Sequence, residues 1–144
     1  MTRNVYWEDV KEGDILPTYS FDITTTLIVD QVSGSQDYNF MHHDTAFARA
    51  QGAPDAYLNT GYIEALLSRS LTDFMGDSGF LKKLKHQMRR FNALGDTLKV
   101  SGKVTAKRIE GAEHLVECDV WLENSRDGVS VPGSAIVRLP SRAA

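Results

Sequence analysis

The segment GYIEALLSRSLTDFMG, from Gly61 to Gly76, constrains the fold of this chain more than any other stretch. Its large apolar residues, Ile63, Leu66, Leu67, Leu71, Phe74 and Met75, recur at helical spacing. Asn59 or Thr60 supplies an N-cap, and Gly76 and Gly79 flank the far end. So many bulky apolar side chains predict a helix buried on most of its circumference. In a chain of 144 residues only a sheet covers a helix so fully.

The C-terminal half supplies that sheet. Leu98, Val100, Gly102 and Val104 alternate with Lys99, Ser101 and Lys103, and Val116, Cys118, Val120 and Leu122 alternate with Glu117, Asp119, Trp121 and Glu123. Turn signals at Leu94-Gly95-Asp96, Glu110-Gly111 and Arg126-Asp127-Gly128 predict short connections between antiparallel strands, the last running from Val129 to Leu139. Upstream, Thr18–Ile23 reads as a short strand, and Thr25 or Thr26 caps a helix through Leu27, Ile28, Gln31 and Val32 that Gly34 can end. Asp44 caps a second short helix closed by Gly52. The pattern is an α+β domain over residues 1–144, an antiparallel sheet wrapped around one long helix.

Charge narrows the partners. A net charge of −3 gives no basic field for nucleic acid or an anionic membrane, and the basic residues Lys82, Lys83, Lys85, Arg89 and Arg90 lack an interleaved aromatic motif. The N-terminal residues form no continuous apolar run, so neither a signal peptide nor a membrane span is expected and the cytoplasm is the expected compartment. Cys118 is the single cysteine; it excludes an intrachain disulfide and reads as a core thiol.

The densest chemistry lies between Gly34 and Ala48, GSQDYNFMHHDTAFA. Asp37 precedes His42 by five residues with Asn39 between them, a carboxylate and an imidazole suited to paired proton transfer. Spacing alone leaves open that Asp37 and Asn39 are ordinary turn residues and His42 a satisfied loop histidine. His43 and Asp44 do not extend the cluster into a metal site, because adjacent residues rarely converge on one ion; Asp44 is better read as a helix cap.

Together these residues resemble the MaoC-like acyl dehydratases, the (R)-specific enoyl-CoA hydratase or "hydratase 2" family of hotdog domains. The family signature sets a glycine and an aspartate before x-Asn-Pro-aliphatic-His, then five residues and a small one. Asp37, Asn39, Met41, His42 and Ala48 match it, whereas Gln36 stands at the glycine and Phe40 at the proline. Gly61 matches a glycine whose amide joins the oxyanion hole, Thr60 replaces the histidine common before it, and Arg90–Leu98 resembles the family's strand and "GDTL" turn. The runs His42-His43-Asp44, Ala50-Gln51-Gly52 and Thr72–Gly76 look more like small single-hotdog subunits of steroid side-chain hydratases, which often work beside a second, different hotdog chain.

The resemblance implies hydration of a trans-2-enoyl-CoA, or the reverse dehydration, in fatty-acid or steroid side-chain metabolism. Asp37 and His42 become the catalytic pair and Gly61 the oxyanion donor. Asn39 and Thr60 occupy substrate-binding positions, Asn39 also bracing the loop through backbone hydrogen bonds. No metal, nucleotide or redox cofactor is implied; coenzyme A enters as part of the substrate, and some of the basic residues at 82–90 could meet its phosphates or simply form a solvated face. A homodimer or higher homo-oligomer is implied, or a heteromer with another hotdog subunit. Two rivals share this ligand class: a hotdog thioesterase, for which Glu64 is the available carboxylate, and a non-catalytic acyl-CoA-binding partner subunit.

Overall fold

The computed structural model describes residues 3–143. Its elements are β1 (Tyr19–Asp22), α1 (Thr25–Ser35), a 3-10 turn (Phe40–His42), α2 (Thr45–Ala50), α3 (Thr60–Met75), β2 (Phe80–His86), β3 (Thr97–Glu110), β4 (Glu113–Asn124) and β5 (Gly128–Leu139). The five strands form one antiparallel sheet in the order β1-β3-β4-β5-β2, curled around α3 in the hotdog arrangement.

Helix α3 forms where its apolar periodicity places it, with the Asn59 carboxamide oxygen accepting the Tyr62 N–H at 2.9 Å as the cap. Ile63, Leu67 and Leu71 on α3 are sealed from water against Leu98 and Val100 of β3, Val120 and Leu122 of β4, and Val131 and Val137 of β5. Each such leucine contributes roughly 2–3 kcal/mol of burial. Cys118 lies in the same layer, and burial, with Asp119 beside it, pushes its thiol up to about 12. It is a core residue and no nucleophile.

The lysine-bearing segment is an edge strand. In β2, Lys82, Lys83 and Lys85 are exposed while Leu81 and Leu84 turn inward, the pattern of a solvated face on a strand that must resist stray pairing. Both ends of α1 depart from the sequence reading: its N-cap is Thr24, whose hydroxyl accepts the Leu27 N–H at 3.2 Å, and not Thr25 or Thr26. Gly34 does not end α1, which continues to Ser35 and closes on Gln36 in the left-handed conformation at φ 57°. Local side-chain bonds support that strained residue: the Gln36 amide donates to the Ser33 carbonyl at 2.5 Å, and the Tyr38 hydroxyl donates to Gln36 Oε1 at 3.1 Å. Among the described residues no helix is long and apolar enough to cross a membrane.

Candidate active site

The loop from Gln36 to Asp44 folds by satisfying itself. The Asp37 carboxylate accepts the Asn39 N–H at 3.3 Å, and the Asn39 carbonyl accepts the His42 N–H at 3.0 Å, closing the 3-10 turn. Asn39 is its N-cap, with Oδ1 facing the Met41 N–H, so this side chain braces the loop. Phe40, at the position where proline was expected, is 58% exposed and packs edge-on against Phe47 of α2. Asp44 caps α2 by accepting the Phe47 N–H at 3.0 Å. His43 is exposed and meets the Phe40 ring edge-on.

His42 is buried, and both of its ring nitrogens have defined neighbours. Nδ1 lies 2.9 Å from the Tyr57 carbonyl and Nε2 lies 3.4 Å from Asp37 Oδ2. A carbonyl oxygen can only accept, so Nδ1 carries a proton and donates to it, while Nε2 faces the carboxylate. A proton or an off-axis water can link these two groups. A separation of 3.4 Å is too long for a strong direct bond and short enough for one water to reach both groups. Asp37 keeps partial solvent contact, its side chain being 42% exposed, so protons can exchange with bulk water.

His42 opens into a cavity of about 360 Å³. One wall carries Met41, His42 and Tyr57–Thr60 with Ile63 of α3; the other is the Met88–Asn92 segment after β2. The second wall is fixed from behind. Gly95, at φ 92°, makes the turn that lets Asp96 accept the Ala93 N–H and receive Arg126 on both carboxylate oxygens, at 3.1 and 2.9 Å. Arg126 also donates to the Phe91 carbonyl.

Of the residues singled out from sequence, His42 and Thr60 line the cavity, Asp37 stands beside His42, and Asn39 lies in the loop behind it. Gly61 is the second residue of α3, next to the cavity-lining Thr60, and is exposed. A Cβ built on it would meet only Asn59 Oδ1, at an ordinary 3.7 Å, so the fold itself does not require glycine there. Its N–H lies in the first helical turn, at the positive end of the dipole.

The basic residues separate into two sets. Lys82 pairs with Glu113, and Lys83 and Lys85 border a different groove on the sheet, with Thr105, Glu117 and Asp119. Arg89 and Arg90 line the His42 cavity and also an adjoining hollow of about 550 Å³ that holds Arg126. Glu64 does not line the cavity; its carboxylate sits 3.1 Å from His86 Nε2, a second histidine–carboxylate pair that sequence reasoning missed. Gln31 was missed as well. The available signal was a polar residue sharing the buried face of α1 with Ile28 and Val32. Among the described residues no three His, Cys, Asp or Glu side chains converge as metal ligands.

Comparison with known proteins gives a consistent set of relatives. No family model matches the chain. The 3-oxo-4,17-pregnadiene-20-carboxyl-CoA hydratase beta subunit of Mycobacterium tuberculosis is 32% identical over 94 residues, covering 65% of this chain and 73% of the relative. The crystal structure of the ChsH1-ChsH2 complex from Mycobacterium tuberculosis superposes with a TM-score of 0.81 at 27% identity, over 91% of this chain and 99% of that one. The (R)-hydratase from A. caviae involved in PHA biosynthesis superposes with a TM-score of 0.79 at 19% identity, over 92% and 99%. A MaoC-like dehydratase from Rhodospirillum rubrum gives 0.79 at 20%, over 96% and 99%. At those last two identities the likeness speaks to the fold.

Proposed function

The chain belongs to the MaoC-like dehydratase and (R)-hydratase family, and on that footing we propose that it adds water to trans-2-enoyl-CoA thioesters, with Asp37 and His42 as the catalytic pair. The observation that carries this reading is the His42 ring: one nitrogen is tied to the Tyr57 carbonyl and the other faces Asp37 beside a cavity.

In this mechanism a water held between His42 Nε2 and Asp37 attacks C3 of the enoyl group. The pair takes one proton from that water and returns a proton to C2, so the product is a 3-hydroxyacyl thioester with no net change in the enzyme. Charge that develops on the thioester oxygen is met by the Gly61 N–H at the N-terminus of α3. A donor of this kind lowers the barrier by roughly 3 kcal/mol in comparable sites. Thr60 contacts the acyl thioester from the cavity wall, and coenzyme A is part of the substrate, with no metal or redox group required. Arg89 and Arg90, at the junction of two hollows, suit its phosphates better than Lys82, Lys83 or Lys85 do.

The relatives named for a beta subunit and for a two-component complex support assembly with a second hotdog chain, a copy of this one or a different subunit. The name of the first relative also brings a steroid side-chain thioester into consideration beside fatty enoyl-CoAs. Thioester hydrolysis has less support, because its carboxylate candidate, Glu64, is held by His86 and does not line the cavity.

The test is incubation with crotonyl-CoA, longer enoyl-CoAs and a steroid side-chain enoyl-CoA, with and without the protein encoded alongside. Loss of enoyl absorbance without thiol release supports hydration. Thiol release supports the thioesterase, and neither change on any substrate supports a non-catalytic partner subunit.

A further inference from the structure

We infer that Gln31, on the inner face of α1, is a positioning residue that fixes the tautomer of His42 and ties it to the N-terminus of α3. The inference deepens the hydratase reading and rests on it for its kinetic part only. Gln31 is 2% exposed, and a buried carboxamide without partners would be costly. It finds three partners on two segments that are remote in sequence. Nε2 donates to the carbonyls of His42 at 3.3 Å and Tyr57 at 3.1 Å, and Oε1 accepts the Asn59 N–H at 2.9 Å.

The Tyr57 carbonyl therefore receives two donors, Gln31 Nε2 and His42 Nδ1, which fill both of its lone pairs. With Gln31 in place that oxygen cannot turn away from the imidazole, and Nδ1 must carry the proton. The same amide bonds the backbone of His42 itself, so ring and main chain are held from one point.

Ser35, one turn further along α1, completes the brace. Its hydroxyl donates to the Gln31 carbonyl at 2.6 Å and accepts from Asn59 Nδ2 at 2.8 Å and from the Asp37 N–H at 3.3 Å. Asn59 in turn caps α3 through Tyr62. Asp37, His42 and the helix end bearing Gly61 are thus set relative to one another by two side chains of α1.

Two substitutions separate these roles. Gln31→Glu keeps the volume and an acceptor for the Asn59 N–H but removes both donors, setting a carboxylate against the two carbonyls. Gln31→Met removes donor and acceptor together. The primary readout is the ring ¹⁵N spectrum of His42 in histidine-labelled protein, assigned by its loss in His42→Ala. The wild type is expected to be the Nδ1–H tautomer, and both variants are expected to shift towards Nε2–H or a mixture. In the hydration assay kcat is expected to fall at least about tenfold, with KM within about twofold, as befits loss of alignment.

A folded variant with the wild-type His42 spectrum and kcat within about twofold would overturn the proposal, as would a wild type protonated on Nε2. If the wild type hydrates no enoyl-CoA the functional reading fails, while the spectra still decide the role of Gln31. Should neither variant fold, the wild-type spectrum decides alone: Nδ1–H supports the brace and Nε2–H refutes it.

Discussion

Two histidine–carboxylate pairs occur among the described residues, and their surroundings differ. Asp37–His42 and Glu64–His86 use the same functional groups at similar separations, 3.4 and 3.1 Å. In the first, the second ring nitrogen is bound to a carbonyl that a buried glutamine holds in place, and the ring lines a cavity. In the second, Nδ1 of His86 is buried with no partner among the described residues, and the carboxylate is 53% exposed on the outer side of α3. Proximity of an acid and an imidazole is common. His86 also borders a hollow, of about 380 Å³, so what distinguishes the first pair is the fixed partner of its second ring nitrogen.

That contrast can be broken by substitution. The largest effect belongs to the proposed catalytic pair: Asp37→Asn and His42→Ala should each lower enoyl-CoA hydration at least about a hundredfold while circular dichroism and oligomeric state stay unchanged. Near-normal activity in either variant would remove the distinction between the pairs.

Gly61→Ala should act oppositely on stability and activity. The added methyl meets no tight protein contact, and alanine favours the helix by roughly 0.5–1 kcal/mol, so the melting temperature should hold or rise. The methyl would occupy the approach of the thioester, lowering hydration about tenfold. Equal activity in the two proteins would move the oxyanion site elsewhere.

Gln36→Gly relieves a left-handed residue and should stabilise the fold by about 1 kcal/mol, read as a shift in the denaturation midpoint. Activity should change little if the side-chain bonds of Gln36 serve only the turn. Glu64→Gln should have the smallest effect, leaving hydration within about twofold of wild type. A large loss there would give the second pair a share in the chemistry.

The sequence carried the frame better than the site. Helix α3 and the alternating strands β3 to β5 were legible because one face of each is sealed and the period survives in the residues. Gly34 misled because glycine usually marks a helix end, whereas here Gln36 takes the left-handed position with local hydrogen bonds in support. Asp37, Asn39 and His42 stood close enough in one loop to be noticed, but spacing alone did not separate them from ordinary turn residues; the family resemblance singled them out. The brace at Gln31 and the cavity wall at Met88–Asn92 could not be noticed in this way, because their partners come from residues 42, 57 and 59 and from Asn124, Arg126 and Ser130. The pair Glu64–His86 joins α3 to β2 across 22 residues and leaves no local signature.

Hydration is defined by where the oxygen of water goes. The most direct measurement is mass spectrometry of the products formed from a trans-2-enoyl-CoA in ¹⁸O-labelled water, with His42→Ala run in parallel. The account predicts one labelled oxygen in an intact 3-hydroxyacyl-CoA from the wild type and at least about a hundredfold less from the variant. Label in a free carboxylate with released coenzyme A, or equal labelling by the two proteins, would contradict it.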